Sequence, residues 1–455
     1  MSDTLQAPPP ASPQLTGRVR QSWKITYPLI VATISPTVLA IADTVMLGWY
    51  STEALATISL VLPIYVFAMA LLVPWGSSIQ ILVSRWKGAG EHARINRMLD
   101  TGLLFCLAIG VGASLLLLTL APLIVRLLSG GNSLPASVAA LQILMLCLPF
   151  AAVTTAYRGV FGGLGETGIA MRVALLVNLT NIPATYVLVF GFDLGVIGSA
   201  TGTLLATSLG MVYIIWFGRR KLGLEYTFWK RANLRRPREI VNPLSRIGWP
   251  EAIMAGSVYA ADILIVSIVA YLGDVSLAGY RIMIITVTVL WVVVFSASSG
   301  ISILAGQRLG AGDVPGALAF RRSGAILMTG MATLAVLPPL INPNWFFGLF
   351  TADTAVVAEA TSVVYILLAM APAMVFGMSM AGVLRAAGDT KSVMYAAIVG
   401  QVAFGLPIAW LCAVHFDMGL IGVYYGLLAA QIARTVITYA QFRSGKWRES
   451  SGKLD

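Results

Sequence analysis

The sequence predicts an all-α integral membrane protein with twelve transmembrane helices, arranged as two six-helix bundles related by a parallel pseudo-two-fold repeat. Three observations lead there. Of the 455 residues, 58% are hydrophobic and 11% charged, too few charges to cover a surface that faces water. The apolar residues gather into twelve runs, each long enough for a helix to cross the hydrocarbon core, which takes about 20 residues. The motifs of the first half return in the second half at nearly constant spacing. Period-two alternation is absent, so a membrane β-barrel is excluded and helices are the only spanning element.

Residues 1–22 are polar and Pro-rich and read as a disordered cytoplasmic tail without a removable signal peptide. The predicted segments are 23–50, 54–83, 101–128, 136–160, 168–190 and 194–217 in the first half. In the second half they are 248–272, 277–305, 318–341, 357–384, 392–414 and 419–442. The domain division follows: an N-terminal lobe over 23–217, a basic linker over 218–246, a C-terminal lobe over 247–442 and a tail over 443–455. Charge alternates between successive connections. One set carries Arg85, Lys87, Arg94 and Arg97, then Arg158 and Arg172, the linker, Arg308 with Arg321 and Arg322, and Arg385 with Lys391. The other set carries Glu53, Asp193, Asp274, Asp353, Glu359 and Asp417. The positive-inside rule therefore places both termini in the cytoplasm, in a cell or inner membrane. It also explains the net charge of +11 as topology and contact with anionic lipid, which removes nucleic acid as a partner.

The halves correspond motif by motif. "GAGE" at 88–91 answers "GAGD" at 310–313, "GET" at 165–167 answers "GDT" at 388–390, and "FDLGVIG" at 192–198 answers "FDMGLIG" at 416–422. The offsets are 222, 223 and 224, and Pro28 and Pro250 are also 222 apart. Six segments per half make the repeat parallel, with its axis along the membrane normal. Two such bundles leave a central cleft, and rocking them gives alternating access. "GAGE" and "GAGD" match no phosphate-binding pattern; their glycines suit sharp turns at helix ends.

Several polar residues lie inside apolar segments. Asp43 is an acid near the end of segment 1, and a carboxylate at the centre of a spanning helix costs about 2.5–3.5 kcal/mol to insert. Pro28 and Pro36 permit segment 1 to bend. Asn178, Asn181 and Thr185 share one face of segment 5, while Ser199, Thr203 and Thr207 share one face of segment 6. Both stripes can point at Asp43, or simply hold helices together. In segment 7, Asp262 is mid-helix. Glu251 follows Pro250 at what reads as the helix start, where an acid suits the dipole. Cys106, Cys147 and Cys412 have no metal spacing, and the only histidines, His92 and His415, are far apart. No nucleophile–base set is present, so an enzyme is not expected, and neither is a cofactor beyond a coupling ion.

The motifs "DTVMLG", "GAGE" and "GAGD", "GLGET" and "AAGDT", "N-x-P" in segment 5 and "DLGVIGSATGT" give the chain a resemblance. It resembles the multidrug and toxic compound extrusion (MATE) family over nearly all of 23–442. The resemblance implies two six-helix lobes and proton- or sodium-driven export of small organic cations or amphiphiles, with Asp43 as the coupling acid. Asn178, Asn181 and Thr203 are its expected partners; Thr185, Ser199, Thr207, Asp262 and Glu251 are further candidates for coupling or substrate. Thr185 stands where some members carry a second acid. Flipping of a lipid-linked or glycan precursor is the alternative within the same superfamily. The expected partners are a small-molecule substrate and lipid, with the chain as a monomer.

Overall fold

The computed structural model describes residues 15–130, 134–222, 226 and 231–448. Among them, twelve helices are long and apolar enough to cross a membrane. The first six are α1 (Leu15–Tyr50), α2 (Thr52–Gly88), α3 (His92–Leu128), α4 (Pro135–Gly163), α5 (Gly168–Gly191) and α6 (Gly195–Leu222). The second six are α7 (Arg238–Tyr271), α8 (Asp274–Gly310), α9 (Val314–Ile341), α10 (Leu367–Ala386), α11 (Thr390–His415) and α12 (Gly419–Arg443).

The helices outrun the apolar segments at the basic ends. Residues 15–22, expected in the tail, form the first turns of α1, and Ser22 is already buried. The start of α7 reaches back to Arg238, inside the expected linker. There Ile240, Leu244 and Ile247 pack into the core of the N-terminal lobe. Past α12, Trp447 is buried and stacks on Phe442 at 5.7 Å. Residues 1–14 of the expected tail, 223–225 and 227–230 of the linker and 449–455 at the other end lie outside the described residues.

The repeated motifs are the turns that end helices. Gly90 and Gly312 have φ of 74° and 74°, and Gly165 and Gly388 have 81° and 78°. These left-handed positions favour glycine because it lacks a Cβ. Asp193 and Asp417 of the "FD" motifs take φ of 56° and 53°, a region that Asp tolerates better than most residues. The threonines of "GET" and "GDT" do equivalent work in each lobe. Thr167 donates to the Ile25 carbonyl at 2.9 Å and Thr390 to the Ile247 carbonyl at 3.2 Å. Each carbonyl lies three residues before the helix proline, Pro28 or Pro250, so a side chain from α5 or α11 braces the bend.

The lobes meet along a seam at the basic-loop end. A Cβ on Gly88 would collide with the Gln307 carbonyl, and one on Gly310 with the Arg85 carbonyl. Adding 222 converts 88 to 310 and 85 to 307, so the two contacts are images of each other. Ser84 meets Gly306, its own image, on the axis. Ile25, Ile303, Leu304 and Phe320 form a small apolar cluster between the lobes. Gln307 reaches across to the Gly163 carbonyl at 2.9 Å. Further from this end α2 and α7 touch where Phe67 meets Tyr259 edge-on at 6.3 Å.

Candidate functional site

Asp43 sits seven residues before the end of α1, about 10 Å along the helix axis, on the side away from the basic loops. It is buried, 6% exposed. Small residues on this face of α1 let α5 approach closely: Ala32 packs with Ala170 and Ala174 of α5. Asn181 and Thr185 of α5 are fully buried at 0%, and Ser199 and Thr203 of α6 nearly so.

Asn181 is the hub. One orientation of its amide places Nδ2 on the Asp43 Oδ1 at 3.2 Å while its oxygen accepts from the Thr203 hydroxyl at 3.0 Å. The opposite orientation would set Nδ2 against the Thr203 backbone N–H at 3.1 Å and the amide oxygen against the carboxylate, so the surroundings select the first. Thr185 lies beside the Asp43 carboxyl and the Asn181 amide. No Lys or Arg among the described residues pairs with Asp43. The site is thus a buried carboxyl ringed by neutral oxygens and an amide, in which a proton or a small cation is the missing positive charge.

The other sequence candidates divide. Thr207 bonds its own helix, donating to the Thr203 carbonyl at 2.7 Å, and also meets the Tyr65 hydroxyl of α2. Ser199 lends its carbonyl to Thr203 at 3.1 Å. Asn178 does not join Asp43. Ser35 donates to its oxygen at 3.0 Å, and its own amide donates to the Ser35 carbonyl at 3.3 Å, beside Pro36. The three-residue step from 181 to 178 moves the side chain about 4.5 Å along α5, enough to change its partner on α1.

Asp262 is also apart from this cluster. It is exposed, one turn beyond Tyr259 on the face of α7 that meets α2. Glu251 corrects the sequence reading. Because α7 begins at Arg238, Glu251 lies thirteen residues inside the helix and no free helix N-terminus is near it. Its partner is Arg385 of α10, with Nε to Oε1 at 2.8 Å and side chains only 8% and 7% exposed.

Sequence reasoning missed three groups. Arg385 reads as a loop base, yet α10 extends through Ala386 and buries it. Ser35 has only its place before Pro36 to single it out. Tyr65 reaches Thr207 and Cys147 from a wholly apolar stretch of α2, and no local pattern marks it.

Comparison with known proteins adds the following. The family model MatE matches residues 28–187 and again residues 250–411, one match per lobe. The chain is 23% identical to the probable multidrug resistance protein NorM of Thermotoga maritima, over 94% of this chain and 92% of that protein. It is 24% identical to the multidrug resistance protein MdtK of Pectobacterium atrosepticum, over 94% and 96%. Among solved structures, an outward-facing multidrug resistance MATE transporter of the MOP superfamily superposes with a TM-score of 0.87 at 18% identity, covering 96% of this chain and 97% of that one. A MATE structure in the straight conformation gives 0.83, also at 18% identity, covering 96% and 97%.

Proposed function

The chain belongs to the MatE family of multidrug efflux transporters, and from that premise we propose that it is a cation-coupled secondary exporter of small organic cationic or amphiphilic compounds, with Asp43 as the main coupling carboxylate. As a member of a transporter family it is not an enzyme. The named relatives do not favour the flippase alternative.

The observation that carries the reading is a buried carboxyl with no cationic partner: Asp43 is 6% exposed, no Lys or Arg among the described residues pairs with it, and Asn181 Nδ2 donates to its Oδ1 at 3.2 Å. The amide supports the ionised acid, which without it carries the cost of an unsatisfied buried group, about 1–3 kcal/mol. A proton on the other carboxyl oxygen neutralises the acid when no cation is near, so loading and unloading can follow the gradient. Sodium fits the same place, held by the carboxylate and the nearby Thr185 hydroxyl.

The seam at Gly88 and Gly310 closes the basic-loop end and so supplies the second requirement, a barrier on one side of the cleft. Rocking the lobes about this axis exposes the cleft alternately. The proton or sodium and the substrate compete through the packing of α1, which Pro28 and Pro36 let bend. By the positive-inside rule the sealed end faces the cytoplasm, with both termini there.

The test is the Asp43→Asn variant in proteoliposomes, with the pH and sodium gradients imposed separately. Asn keeps the size and the hydrogen-bonding capacity but holds no exchangeable charge. The variant is expected to insert and fold while losing gradient-driven export. Export at wild-type rates under either gradient would overturn the assignment.

A further inference from the structure

The two lobes are built on one plan, yet the charged residues within their spanning helices differ. The offsets of the repeat pair Asp43 with residue 265 (43 + 222) and Thr203 with residue 427 (203 + 224). Those positions hold Ile265 and Leu427, so the C-terminal lobe lacks the acid site. Conversely Glu251, Arg385 and Arg434 pair with residues 29, 162 and 210, which are Leu29, Gly162 and Gly210. Glu251, Arg385 and Arg434 thus belong to the C-terminal lobe alone, and the three together carry a net charge of +1.

Their geometry leaves one cation unmatched. The Glu251 carboxylate accepts from Arg385 Nε at 2.8 Å. The Arg385 guanidinium also lies 5.9 Å over the Phe295 ring, which stacks on Trp291 at 4.7 Å and 9°. Arg434 of α12 is half-buried and meets α10 at Met378, seven residues before Arg385. Of its five N–H donors, the structure gives a partner to one alone, a weak contact from Nη2 to the Met378 sulfur at 3.7 Å. The other acid of this lobe's spanning helices away from their ends, Asp262, is eleven residues further along α7, about 16 Å. The backbone beside Arg434 is also unusual. A seven-residue π-helical stretch, Val399–Gly405, widens α11 here, and a Cβ on Gly400 would lie 3.1 Å from Arg434. Its counterpart in α5 is regular α-helix, because the π-turn of that helix covers only Val187–Gly191. Such bulges are often kept where a helix must open to a ligand.

We propose that the C-terminal lobe holds an anion site in which Arg434, beside the Arg385–Glu251 pair, takes the carboxylate of a zwitterionic organic substrate. The site rests on the export reading for its substrate, whose cationic end is the part that reading already requires. Arginine suits the role because its planar fork binds a carboxylate through two parallel hydrogen bonds. Trp291, exposed and stacked on Phe295, offers its outer ring face to the body of the molecule.

The test uses a matched pair of dyes: rhodamine B, which is zwitterionic, and its ethyl ester, which keeps the cation and loses the carboxylate. Binding of each to the purified full-length protein is measured by fluorescence polarisation, and export of each is measured in proteoliposomes. Wild type is expected to prefer the zwitterion. In Arg434→Gln the zwitterion-to-ester affinity ratio should fall on the order of tenfold, the loss of one charge-assisted hydrogen bond. Arg434→Lys, which keeps the charge, should restore part of it. Chloride should compete with the zwitterion in wild type and no longer in Arg434→Gln. A ratio that is the same in all three proteins overturns the proposal. So does a chloride requirement shared by both dyes, which would make inorganic chloride the occupant. If wild type exports neither dye yet the binding ratio behaves as expected, the export reading fails and the anion site stands.

Discussion

Asn181 and Asn178 are the same residue type three positions apart, and their roles differ because each meets a different partner on α1. Asn181 is fully buried against Asp43 and Thr203, whereas Asn178 clasps Ser35. Asn181→Leu removes the amide that donates to Asp43 and accepts from Thr203. Gradient-driven export is expected to fall on the order of tenfold to a hundredfold, the rate equivalent of an unsatisfied buried carboxyl. Asn178→Leu should cost much less export and act mainly on the bracing of α1 at Pro36. Transport rates of the two variants, normalised to the amount of folded protein, check this; equal losses would remove the distinction.

At the scale of the helix, two contacts carry consequences of different kinds. The Glu251–Arg385 pair joins α7 to α10 inside the C-terminal lobe. Its net contribution is not assumed to be large, because desolvation offsets much of the attraction. Breaking it by Glu251→Ala, however, leaves a buried guanidinium without its carboxylate, at a cost of about 3–5 kcal/mol. A clear drop in the thermal unfolding midpoint of the detergent-purified variant is expected; an unchanged midpoint would mean that water already solvates the pair. The glycines of the seam act on conformation instead. Gly310→Ala places a Cβ against the Arg85 carbonyl, so the variant favours states in which the basic-loop end is parted. Spin labels at Glu91 and Asp313, the last residues of the two "GAG" motifs, should report a longer mean distance in the variant than in the parent. A shorter or equal distance would show that the helices slide past the added methyl without opening.

For the whole molecule, export by rocking requires that the seam part in every cycle. Ser84 and a Cβ built on Gly306 lie only 3.1 Å apart at the Cβ atoms, slightly inside the usual disulfide spacing of about 3.8 Å. With Ser84→Cys and Gly306→Cys together, oxidation is expected to stop export and reduction to restore it. Continued export by the fully cross-linked protein would rule out opening at this end. Orientation is checked separately. In a chain cleared of Cys106, Cys147 and Cys412, Arg235→Cys should react with an impermeant thiol reagent from the cytoplasmic side only, since it lies within the most basic connection in the chain.

The twelve spans and their duplication were legible in the sequence because each rests on a local quantity. Hydropathy over about 20 residues decides whether a helix crosses the bilayer. Motifs such as "GAGE" and "FDLG" mark turns whose backbone angles only certain residues tolerate, as Gly90 and Asp193 do. Asp43 was legible for the same reason, since an acid in an apolar run is conspicuous wherever it points. Tertiary structure alone decided which polar groups meet. Asn178 and Asn181 share a helix face and part company because α1 presents Ser35 to one and Asp43 to the other. Arg385 passed for a loop base until α10 was seen to continue through it and α7 to offer Glu251. The arginines gathered in the C-terminal lobe emerged last. Their gathering depends on α7, α10 and α12 converging across more than 180 residues of chain, and sequence spacing carries no information about a contact that only packing creates.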